Sequence, residues 1–182
     1  AIASHAEFDF MVFPSGIYQK EHFLRIAHPY VYGYKIFEDD IAQFSKRQLP
    51  FIVWNNIYRT SSIRKHGLKW DDHLLSLQDA DFNISSIACG LRYAYATNAK
   101  ADYGYRIASE SSVSKNIQGS KHISSHLYAT KKMCEVVHGF CDSRYDWHLF
   151  KGALSIYNEC MSGSGLNKQF AESLIETLHS CN

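Results

Sequence analysis

Phe51-Ile-Val-Trp-Asn-Asn-Ile-Tyr-Arg59 and Leu77-Gln-Asp-Ala-Asp-Phe82, joined through Ser61-Ser-Ile-Arg-Lys-His-Gly67 and Lys69-Trp-Asp-Asp72, form the stretch on which the fold turns. Phe51 to Trp54 is a short, continuously apolar run, the pattern of a strand buried on both faces. Asn55-Asn56 reads as a turn or bulge. A short helix follows, with Ser61 or Ser62 as its cap and Gly67 just past its end. From Leu77 onward, Ala80, Ile84, Ile87, Ala88 and Leu91 recur on one helical face that closes near Gly90. A strand, a short helix, an acidic turn and an amphipathic helix in this order predict an α/β chain.

Upstream, Phe8, Phe10 and Val12 alternate with Glu7, Asp9 and Met11, the period of a half-buried strand that Pro14-Ser-Gly16 ends. Tyr18 to Tyr34 lacks clear periodicity and reads as a short helix and a loop. Glu38 to Arg47 places acids first and bases last, the charge order of a helix. Downstream, Leu91–Thr97 and Asp102–Ile107 read as two strands around Asn98-Ala-Lys100, and the Ser-rich run 108–115 as a mobile loop. Three apolar stripes then follow. They are Ile123, Leu127, Cys134, Val137 and Cys141; Trp147, Phe150, Leu154, Tyr157 and Met161; and Phe170, Leu174, Ile175 and Leu178. These predict three consecutive antiparallel helices. The boundary falls between an α/β unit at 1–117 and a helical extension at 118–182.

With 46% apolar and 20% charged residues in 182, the composition is that of an ordinary globular domain. Nineteen basic against eighteen acidic residues leave a formal charge of +1, too weak a field to argue for nucleic acid or an anionic membrane surface. Five cysteines without a C-x-x-C pair point to a reduced, cytoplasmic chain. No apolar run approaches the roughly 20 residues of a membrane span. The chain starts at Ala1 without an initiator Met, which reads as a fragment boundary.

The acidic turn carries most of the chemistry. Asp79 and Asp81 stand in the first turn of the predicted helix, where backbone N–H groups lack partners and negative charge is favoured. A helix-start Asp is commonly a cap. Asp79-Ala-Asp81 is formally an Asp-x-Asp, a carboxylate pair of the kind that can ligate a hard divalent cation, here at the opening of a helix. His122 and His126 have the i, i+4 spacing of a helical metal pair, with no third ligand in sight. A metal-dependent hydrolase would need Asp71, Asp72, His73, Asp79 and Asp81 to converge on one point.

Residues 45 to 115 resemble the acceptor-side half of the family-2 glycosyltransferases of the GT-A type. In that family, a segment of the form W-x-K-x-Y-R-x-x-x-(I/L)-x-x-x-G-(L/I)-x-(F/W)-(D/N) leads into an acidic pair at a helix start. Trp54, Tyr58, Arg59, Gly67, Leu68, Trp70 and Asp71 stand here in that order, with Asn56 where the family often has Lys. The resemblance implies a partial Rossmann-like nucleotide-diphospho-sugar transferase domain followed by a three-helix unit. It also implies inverting transfer of one sugar from a nucleotide diphosphate donor to a hydroxyl of a glycan or lipid-linked acceptor. Asp79 would be the general base. Gln78 stands where the family has Glu, and Trp54, Asn55, Arg59, Gln78 and Arg106 would bind substrate. The Gln-x-x-Arg-Trp signature of processive polymer synthesis is absent.

By the same resemblance the whole enzyme needs a divalent metal, Mg or Mn, held outside this chain. Its donor-binding half would lie upstream, leaving residues 1–182 inactive alone, in the cytoplasm or at the inner face of the membrane. The rival expectation is a non-catalytic interaction or dimerisation module. It would associate with itself through the C-terminal helices, using Tyr128, Trp147, Phe150 and Tyr157.

Overall fold

The computed structural model describes residues 7–19, 21–27, 55–75, 77–96, 99–101, 103–107, 120–141 and positions 172, 175, 176 and 179. In chain order its elements are β1 (Phe10–Val12), β2 (Ser15–Gln19), β3 (His22–Ala27), β4 (Asn56–Tyr58), α1 (Thr60–Lys65), α2 (Gln78–Ala88), β5 (Tyr93–Tyr95), β6 (Tyr103–Ile107) and α3 (Ser120–Cys141). The architecture is mixed α/β, with two small mixed sheets ordered β4-β1-β5 and β3-β2-β6. Expectations on Phe51–Trp54, Glu38–Arg47, the loop at 108–115 and the stripe from Trp147 to Met161 lie outside the described residues.

One pair of chain segments runs through both sheets. β1 lies parallel to β5, with Phe10 opposite Tyr93, and β2 lies parallel to β6, with Ser15 opposite Tyr103. Five residues separate the two positions on the first segment and ten on the second. Pro14, which has no backbone N–H to give to a ladder, stands where the first segment passes from one sheet to the other. Each sheet is completed by an antiparallel strand, β4 on β1 and β3 on β2.

The hairpin β2-β3 corrects the helix expected within Tyr18–Tyr34. Residues His22 to Ala27 pair with Gln19 to Ser15, with an irregularity between Ile17 and Tyr18. No local period announces this, because the partner strand decides it. The Tyr18 ring meets Phe23 edge-on at 5.6 Å. It also covers the glycine pair Gly16 and Gly104, where an added Cβ would stand 2.8 and 2.9 Å from the ring.

The core gathers Phe10 and Val12 of β1, Ile84 and Ile87 of α2, Leu91, Tyr95 of β5, and Met133, Cys134 and Val137 of α3. The stripe read from the α2 sequence is therefore the buried one, and the first C-terminal stripe supplies Cys134 and Val137 to the same core. Rings run in a line across the first sheet. Phe10 stacks between its two register partners, Tyr58 at 4.5 Å and Tyr93 at 4.9 Å. Tyr58 then meets Phe82 edge-on at 5.3 Å, and Phe82 stacks on Trp70 at 4.6 Å. Such pairs contribute about 0.5–1.5 kcal/mol each beyond area burial.

Both shorter helices stop as their glycines predict. After α1, the Gly67 N–H bonds to the Arg64 carbonyl and the Leu68 N–H to Ile63. After α2, the Gly90 N–H bonds to Ile87 and the Leu91 N–H to Ser86. Gly67 and Gly90 have φ of 62° and 85°, the left-handed closure that leaves the last carbonyls satisfied.

The start of α1 differs from its sequence reading. Neither Ser61 nor Ser62 caps it. Arg59 holds the N-cap position in extended conformation without a side-chain cap bond, and Ser62 turns inward to donate its hydroxyl to Asp9 Oδ1 at 2.7 Å. Asp9 also accepts the Arg92 backbone N–H at 2.9 Å, so one carboxylate ties together the lead-ins to β1 and β5 and the first turn of α1. Burial works against its charge. The Ser62 hydroxyl and the Arg92 N–H and guanidinium outweigh that, and its pKa falls below the ordinary value.

Candidate functional site

The predicted acidic turn is the first turn of α2, with Asp79 and Asp81 both in it. The two carboxylates have different surroundings. Asp79 is half-buried, and its Oδ1 accepts the N–H of the adjacent Ala80 at 2.9 Å. Asp81 has a side chain only 5% exposed and meets the Lys132 ammonium of α3 at 2.8 Å. This separation follows from helical geometry, because residues two apart point away from each other.

Lys132 also bonds Asp71 Oδ2 at 2.9 Å. The same Asp71 oxygen accepts the Tyr128 hydroxyl at 3.0 Å, while its Oδ1 accepts the His73 backbone N–H at 3.0 Å and faces His73 Nδ1 at 2.9 Å. Lys132 and these donors hold the Asp71 carboxyl well below the usual carboxylate range. Burial disfavours the Lys132 ammonium, but hydrogen bonds to Asp81 and Asp71 prevail and raise its pKa. The bond to Asp71 raises that of the Tyr128 phenol.

Among the described residues, no three His, Cys, Asp or Glu side chains gather where they could hold a metal ion. Asp71 and Asp81 do converge, but on an ammonium. The carboxylate convergence that a hydrolase on Asp71, Asp72, His73, Asp79 and Asp81 would require is not what these residues build.

The other sequence-derived site residues are spread over several elements. Gln78 gives its Nε2–H to the Leu74 carbonyl at 3.1 Å, spanning the loop before α2. Arg59 gives its Nε–H to the Phe8 carbonyl at 3.1 Å, and its backbone N–H bonds to Asp9. Asn55 is buried beside the end of β1, its carbonyl accepting the Phe13 N–H at 2.7 Å. Arg106 is exposed on β6 in the second sheet, opposite Tyr18. Trp54 lies outside the described residues.

Two features near Asp79 escape a reading of the sequence, and a third is legible there. Lys132 lies 51 residues from Asp81, and its helical neighbours Ser125 and Tyr128 form a polar stripe of the kind that usually faces water. Asn83 interrupts the apolar face of α2 yet is fully buried, its Oδ1 accepting Tyr58 Oη–H at 2.7 Å and Asn56 Nδ2–H at 3.0 Å. Burial raises the Tyr58 phenol pKa, so the group stays a donor. Trp70 rests on Phe82, one turn beyond Asp79, and remains 47% exposed. Of these, Trp70 was legible, as one position of the segment that resembles the family-2 pattern.

The arrangement presents a half-buried carboxylate at the positive end of an 11-residue helix, and none of the ion pairs described above engages it. It can accept a proton from a hydroxyl or orient one. The chain matches no model of a known protein family, and a search of curated proteins finds no relative. Among the described residues no helix is long and apolar enough to cross a membrane.

Proposed function

We propose that this chain is the acceptor-side part of an inverting nucleotide-sugar transferase of the family-2, GT-A kind, with Asp79 as general base. One observation carries the reading. Among the described residues, the carboxylate in the expected place opens α2 without an ion pair, while its neighbour Asp81 is committed to Lys132. An inverting displacement needs one base near the acceptor hydroxyl, in line with the departing nucleotide diphosphate. The order of elements agrees, with a strand at Asn56–Tyr58, a short helix closed by Gly67, the Trp70-Asp71 loop and then the acidic helix.

In this reading the parallel pair β1/β5 and the helix α2 belong to a Rossmann-like domain. The donor is a nucleotide sugar and the acceptor a glycan or lipid-linked hydroxyl, met in the cytoplasm or at the inner membrane face. Trp54, Asn55 and Arg106 contribute to the cleft, whereas the bonds of Arg59 and Gln78 described above give those two residues supporting roles. A Mg or Mn ion would neutralise the diphosphate in the whole enzyme. Asp79 and Asp81 do not fit that ion, since Asp81 already faces an ammonium and Asp79 diverges from it.

Asp79→Asn in the full-length protein tests the assignment. Transfer is expected to fall by about 10²-fold or more with the fold intact by circular dichroism, and a drop of only a few-fold removes Asp79 from the base role.

A further inference from the structure

We infer that one polar stripe of α3, made of Ser125, Tyr128 and Lys132, positions Asp79 by clamping a strained lead-in to α2; this rests on the transferase reading of Asp79. The three residues are spaced i, i+3, i+7 and so share a helix face. Each bonds a residue of 71–75 or of the first turn of α2. Ser125 Oγ accepts the Leu75 N–H at 2.8 Å, the Tyr128 hydroxyl bonds Asp71 at 3.0 Å, and the Lys132 ammonium bonds Asp71 at 2.9 Å and Asp81 at 2.8 Å.

Between those anchors lies Leu77, with φ 63° and ψ 18° at the N-cap of α2. Among the described residues it alone has positive φ without being glycine. A leucine is sterically disfavoured there, and such strain persists only where the surroundings over-determine it. Anchors stand on both sides, at Asp71 and Leu75 before and Asp81 after, and Gln78 Nε2–H to the Leu74 carbonyl spans the gap at 3.1 Å. The N-cap of α1 carries no such strain, for Arg59 is extended, with φ −75° and ψ 117°.

Asp79 sits inside the clamped segment, and no member of the stripe bonds it. The stripe therefore acts on where the carboxylate points. Ser125, Tyr128 and Lys132 are positioning residues, and a displacement of about 1 Å at a reacting group can cost on the order of 10²-fold in rate.

The test uses the full-length protein, with Lys132→Met, Lys132→Arg and the charge-neutral Tyr128→Phe. One readout needs no substrate: hydrogen exchange at the Asp81 amide, which bonds to the Leu77 carbonyl at 3.0 Å. A second is nucleoside diphosphate release from UDP-glucose, UDP-N-acetylglucosamine and GDP-mannose. Lys132→Met is expected to speed exchange at Asp81 by about 10-fold or more while Ile84–Ala88 stay protected. It is expected to lower kcat by about 10- to 100-fold with KM little changed. Lys132→Arg should retain both, and Leu77→Gly should restore part of the loss in the Lys132→Met background.

Tyr128→Phe should speed exchange at Asp81 without changing any charge, and it stands in if Lys132→Met does not fold. Wild-type exchange at Asp81 in the variants overturns the clamp. So does a loosened turn with undiminished kcat. An Asp79→Asn variant that keeps full turnover defeats the transferase reading instead, and exchange then still decides the clamp.

Discussion

The β4-β1-β5 and β3-β2-β6 sheets share two chain segments and the same parallel pairing, yet they differ in what covers them. In the first, Phe10 is 1% exposed, stacked between Tyr58 and Tyr93 and packed into one core with α2 and α3. In the second, Phe23, Leu24 and Tyr103 are each about half exposed, at 53%, 47% and 45%. Parallel pairing by itself does not make a core. The helices do, because a sheet stabilises the chain only through the apolar face that another layer removes from water. The acidic turn belongs to the covered region, and it is held from the helix side.

The largest test of this contrast truncates one ring in each sheet. Phe10→Ala is expected to lower unfolding free energy by about 3–5 kcal/mol, the range for a buried aromatic. Phe23→Ala should cost about 1 kcal/mol or less, since its main partner is the edge of the Tyr18 ring. Denaturant midpoints of the two variants measure the difference, and equal losses would show that the second sheet is as well packed as the first.

The Lys132 ion pairs set the next effect. Lys132→Met is expected to cost about 2 kcal/mol near neutral pH, between the values for surface and buried pairs. The pH dependence has two signs. Asp71 has a depressed folded pKa, so its contribution is complete above the unfolded value of about 3.9 and disappears as pH falls through the lower folded value. Lys132 has a raised one, so its contribution is complete below about 10.4 and disappears as pH rises through the folded value. The gap between wild type and variant should be widest between about pH 4 and pH 10 and should narrow on both sides. A series of unfolding midpoints across pH checks it, and a constant gap would mean that the variant loses packing rather than charge.

The smallest effect belongs to the second sheet. Gly104→Ala would bring a Cβ to 2.9 Å from the Tyr18 ring, which can swing aside. The expected cost is about 1 kcal/mol, and the swing should abolish the NMR cross-peaks between the Tyr18 and Phe23 rings.

How much of this was legible in the sequence depends on how far apart the interacting residues are. The span of α2, the stops at Gly67 and Gly90, and the strands near Tyr95 and Tyr105 all follow from periods and caps within a dozen residues. The β2-β3 hairpin escaped, because its strands are identified by each other and by β6. At the site, Asp79 could be singled out as a helix-start acid. Its difference from Asp81 could not, since that depends on an ammonium from a helix 51 residues away.

The sequence by itself determined the span of α2, where α1 and α2 end and which face of α2 is apolar, because those properties arise from 3.6-residue periodicity and from glycines that accept left-handed backbone. Only the tertiary structure decided which of the two acids is paired with Lys132. It also turned Ser62 inward to Asp9 and set the stripe Ser125, Tyr128 and Lys132 against the lead-in to α2. Those choices come from the packing of α3 on α2, and a polar side chain on a helix carries no local mark of the surface it will meet.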